Sequence, residues 1–170
     1  VDIINPGYAT LFTKDLEYAA DSNWSSYGES NAFDPDDTAF LQEGEFLVLN
    51  ADGKLTRESG ASVTSNMDNE GTEYPFMYYA ERGRYDAQIT RKAHVITGPV
   101  GFEFRTKMCD SSGLSVGSQV VVCDVSIGGR SYRGLGLGLS ATTGHYVVGV
   151  VSKVHGTNDI SVIYNPHIKA

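Results

Sequence analysis

From Gly101 to Met108 the chain alternates without a break: Phe102, Phe104, Thr106 and Met108 fall on one side of an extended backbone, and Glu103, Arg105 and Lys107 on the other. A period of two belongs to a strand with one buried face and one face that is wet or meets a partner. Comparable short runs recur along the chain, each bounded by turn residues. Phe46 to Asn50 is apolar, Ala51-Asp52-Gly53 supplies a turn whose glycine tolerates positive φ, and Lys54 to Arg57 returns with alternation, so this is a hairpin. Tyr74 to Tyr79 and Tyr85 to Ile96 read as two strands around Glu81-Arg82-Gly83-Arg84, after a polar, loop-like stretch from Ala61 to Thr72. Val120 to Ile127, Gly128-Gly129 and Arg130 to Tyr132 make a second hairpin with a two-residue turn. Tyr146 to Val151 and Ile160 to Tyr164 are β-branched strands on either side of a turn at His155 to Asp159. Between these pairs lies Gly134-Leu135-Gly136-Leu137-Gly138-Leu139, which as a strand puts leucines on one face and glycines on the other. A face without side chains admits another backbone or an aromatic ring.

Helical periodicity is nearly absent. The best candidate is Thr13 to Ala20, where Thr13 would cap and Leu16, Ala19 and Ala20 would share a face. The remaining residues up to about 40 are rich in turns yet hold Tyr8, Phe12, Trp24 and other aromatics, a composition foreign to disordered tails. The pattern therefore predicts an all-β fold, a small barrel or sandwich of the β-tulip or jelly-roll kind, over residues 41–170. An extended, mostly irregular N-terminal arm over 1–40 would precede it. No linker divides the strand-rich part into two domains.

At 170 residues a single domain buries roughly 70% of its unfolded surface without covalent staples. Cys109 and Cys123 are then expected as small core residues of a chain kept in a reducing compartment, not as a disulfide framework. No apolar run is long enough to span a bilayer, and Val1 to Gly7 lacks the basic start and apolar core of a signal peptide, so no membrane is expected. The net charge of −8 is unevenly held: residues 1–85 carry 16 acids and 5 bases, residues 86–170 carry 5 acids and 8 bases. An acidic chain has no broad basic footprint for nucleic acid. The halves, at −11 and +3, are suited instead to meet each other between neighbouring subunits, in a contact that salt would weaken.

Motifs that carry chemistry fail on context. Gly113-Leu114-Ser115-Val116-Gly117 has the spacing of a nucleophile elbow, but that device needs a strand before the serine and a helix after it, and a β run follows here. None of His94, His145, His155 and His167 is tied to Ser115 by spacing, and they lack the short pairing of zinc ligands. Asp34, Asp36 and Asp37 form an acidic cluster without the glycine and terminal glutamate of a calcium loop, and it reads as turn chemistry; Asp68, Glu70 and Glu73 make a second acidic patch that reads as a solvated loop. Asn23-Trp24-Ser25 fits a glycosylation acceptor but equally a turn. The G-x-G-x-G of Gly134 to Gly138 lacks the third spacing and the βαβ setting of a dinucleotide site. No catalytic residue, metal or cofactor is therefore assigned, and the chain reads as a binding or structural module. Tyr74 and the Tyr78-Tyr79 pair leave one alternative, a receptor- or glycan-binding β module.

Glu43 to Leu55, Leu139 to Val154 and the last strand Ile160 to Tyr164 together resemble the small β-barrel head proteins of tailed bacteriophages, the decoration or cement proteins. The resemblance implies a non-enzymatic virion protein, made in the host cytoplasm, that sits on the capsid exterior and binds the major capsid protein lattice. It also implies a homo-oligomer, often a trimer, seated where capsomers meet. Under that reading Tyr8, Phe12 and Trp24 of the arm supply apolar contacts, while Gly134, Gly136 and Gly138 permit close subunit packing.

Overall fold

In a computed structural model the described residues are 1–5, 11–17, 43–49, 52–56, 74–79, 92–127, 130–137 and 146–169. All of their regular structure is β. The strands are β1 (Asp2–Asn5), β2 (Phe12–Glu17), β3 (Phe46–Leu49), β4 (Leu55–Thr56), β5 (Phe76–Tyr78), β6 (Lys92–Gly98), β7 (Glu103–Thr106), β8 (Gln119–Ile127), β9 (Arg130–Leu137), β10 (Tyr146–Gly156) and β11 (Asp159–Ile168). They form a six-stranded sheet, in the order β1-β7-β11-β10-β8-β9, and a five-stranded sheet, in the order β2-β6-β5-β3-β4. All strand pairings within both are antiparallel.

Both hairpins lie where turn chemistry put them. Leu49 pairs with Leu55 across a turn that holds Gly53 at φ +74°, and Ile127 pairs with Arg130 across the Gly128-Gly129 step. The β10–β11 hairpin turns at Asn158, the one described non-glycine residue at positive φ, a conformation asparagine tolerates better than most. Phe102, Phe104 and Thr106 are buried as their alternation requires, and Lys107 is exposed.

One core lies between the sheets. Phe46, Met77 and Ile96 of the smaller sheet meet Phe104, Val120, Leu135, Val151, Ile160 and Val162 of the larger, a sandwich in which each inner face supplies every second residue. Phe102, Phe104 and Tyr164 stack within this core at centroid distances of 4.9 to 6.4 Å. Burial pushes the Tyr164 hydroxyl well above the usual phenol range, and it lies 3.4 Å from the Tyr74 hydroxyl. Leu47, Leu55, Tyr78, Ala93 and Val95 form a second buried cluster. Cys109 and Cys123 are buried free thiols, and desolvation raises Cys109 to about 12.

Two expectations change. The short helix over Thr13 to Ala20 does not form: residues 12–17 are β2, in register with β6 from Phe12↔Gly98 to Glu17↔Lys92. Sheet pairing satisfies every second backbone group there, whereas a helix of this length would be marginal, so tertiary context overrides the local pattern. In addition, the described part of the expected irregular arm is strand, since β1 edges the larger sheet and β2 edges the smaller.

The larger sheet also bends far enough to meet itself. Just beyond β7, Leu135 N–H donates to the Met108 carbonyl (3.0 Å) and Asp110 N–H donates to the Leu135 carbonyl (2.8 Å), a parallel bridge of Cys109 to Leu135. The segment that follows β7, near one end of the sheet, thereby pairs with β9 at the other end, and the edge of β9 is covered at Leu135.

Candidate interaction surfaces

The close approach that the glycine-leucine alternation predicts is made by the chain itself. A Cβ on Gly134 would lie 2.5 Å from the Met108 carbonyl oxygen and 2.7 Å from Val125 Cγ2. Leu135, on the other face of β9, is fully buried in the sandwich core. Gly134 therefore serves an intramolecular crossing. Gly136 is buried opposite Val121.

Phe12 is placed at the surface. It is 59% exposed at the start of β2, with its ring edge 3.3 Å from where a Gly98 Cβ would stand, and its carbonyl accepts from Thr97 Oγ1 (3.1 Å). Ile4 of β1 and Val100, two residues past Gly98, are exposed too. Both N-terminal strands thus present apolar side chains at sheet edges. Further along β2 the edge carries exposed Lys14, Asp15 and Glu17, the charged flank that discourages another strand from adding. Asp15 is 2.6 Å from His94 Nδ1 on β6, which ties the edge strand down.

Across the outer face of the larger sheet, Asp2, Arg105, Ser161 and Lys153 stand in register on β1, β7, β11 and β10. The next row is Glu103, Ile163 and Val150. Arg105 grips Asp159 through Nε (2.7 Å) and Nη2 (2.6 Å), a bidentate fork. That hydrogen bond holds the Asp159 carboxyl below its ordinary range and raises the Arg105 guanidinium. Ser152 donates to Glu103 (2.5 Å), and His155 Nε2 lies 2.8 Å from Ser161 Oγ. A carboxylate with a depressed pKa contributes stability that is present above its unfolded pKa and is lost as pH falls through the folded value. Replacing Arg105 by Gln is accordingly expected to open a stability gap at neutral pH that narrows by about pH 2.5. Urea unfolding at both pH values measures it, and a gap of constant size would refute the coupling.

Ser115 sits in an exposed turn between Gly113 and Gly117, both at positive φ. Its hydroxyl partner is Ser118 Oγ at 3.2 Å, and β8 follows in place of a helix. An open cavity of about 410 Å³ at the β1–β7 end is lined by Asp2, Glu43, Arg105 and Lys107 among others, with the two signs of charge balanced. Among the described residues no group of three or more His, Cys, Asp or Glu side chains is arranged to hold a metal ion. No described helix is long and apolar enough to cross a membrane. No protein-family model matches the chain, and no similar curated protein or solved structure was found.

The tyrosines that suggested a sugar platform divide. Tyr78 is 2% exposed in the second core cluster and unavailable to a ligand, and Tyr79 packs against the main core. Tyr74 stays half-buried, against Phe76 (4.9 Å) and Tyr146 (5.6 Å). Tyr8, Trp24, Gly138, His145, the Asn23-Trp24-Ser25 acceptor and both acidic clusters lie outside the described residues. Nothing in the sequence singles out Ile4, Val100, Lys153 and Ile163. The only signal for them is their position in a strand, and exposure at an edge or a sheet face depends on partners distant in sequence.

Proposed function

We propose that the chain is a non-enzymatic virion structural protein, a decoration or cement protein that binds and stabilises a mature phage capsid lattice as a homo-oligomer. One observation carries the reading most: two consecutive edge strands, one on each sheet, offer exposed Ile4 and Phe12 from a β-sandwich body. Such a body binds without chemistry. A protein that binds only the expanded lattice stabilises that state by mass action, to an extent set by its concentration and affinity. Apolar side chains on edge strands held by a sandwich lose little conformational freedom on docking, which favours affinity.

Cosedimentation of the full chain with capsids tests this directly. The chain is expected to pellet with expanded capsids and to remain in solution with immature ones. Equal pelleting with both, or with neither, would overturn the proposal.

A further inference from the structure

We draw no further inference here: the strongest candidate, the exposed apolar patch formed by Ile4 on β1, Phe12 on β2 and Val100 just past β6, belongs to the surface already described, and nothing in the structure shows what covers it.

Discussion

Replacing Gly134 by alanine is expected to cost about 2–3 kcal/mol of folding stability, the upper part of the range for overpacking a closed site. The added methyl would stand 2.5 Å from the Met108 carbonyl oxygen, which already accepts the Leu135 N–H, and 2.7 Å from Val125. Backbone is the neighbour that gives least, so relief requires breaking the crossing of residues 108–110 over β9. The matched control is Gly156→Ala, where nothing lies within 4 Å. There the reduced freedom of the unfolded chain makes the change neutral or stabilising by up to about 1 kcal/mol. Chemical denaturation of both variants measures the contrast. Equal stability of the two would show that the crossing is not held as described, whereas a loss of assembly with unchanged folding would return Gly134 to a subunit contact.

Phe104→Ala should be more damaging still, by about 3–5 kcal/mol, because it empties a fully buried ring site between the sheets. Its ring lies 5.9 Å from Phe102 and 6.4 Å from Tyr164, so part of the loss is aromatic contact and part is the cavity left behind. Phe12→Ala removes a ring of the same size from a position 59% exposed, and its effect on stability should stay below about 1 kcal/mol. If capsid binding falls in the Phe12 variant while its unfolding midpoint holds, the edge contact is functional. Comparable destabilisation by both substitutions would mean that Phe12 belongs to the folded core and has no separate role.

The parts of this fold that were legible in the sequence are those whose cause is local. Gly53 and the Gly128-Gly129 pair announce their hairpins because the turn demands glycine within a few residues of the strands it joins. The Phe102-Phe104-Thr106 alternation announces its own buried face. Residues 13–17 misled because Leu16 and its small neighbours imitate a helix face, while the partner that makes them a strand, Lys92 to Gly98, lies far along the chain. At Gly134 the sequence declares that something comes close and is silent on what; a subunit and the chain's own Met108 demand the same missing side chain. The tyrosines failed for a related reason: alternation in a strand does not say which face is inward, and Tyr78 turned out to be core.

The placement of β1 and β2 also bears on how the molecule comes together in time. Asp2 finds its partner at Arg105 and Asp15 at His94, so neither early strand can pair until a long stretch of later chain exists. Such distant pairings carry the largest loop-closure cost and form slowly. The hairpins β8–β9 and β10–β11 close over short separations and can assemble first, leaving Ile3 and Ile4 waiting in the open. During that interval the two N-terminal strands of one molecule are free to fill the vacant edges of another, so crowding of nascent chains favours exchange of this segment between copies.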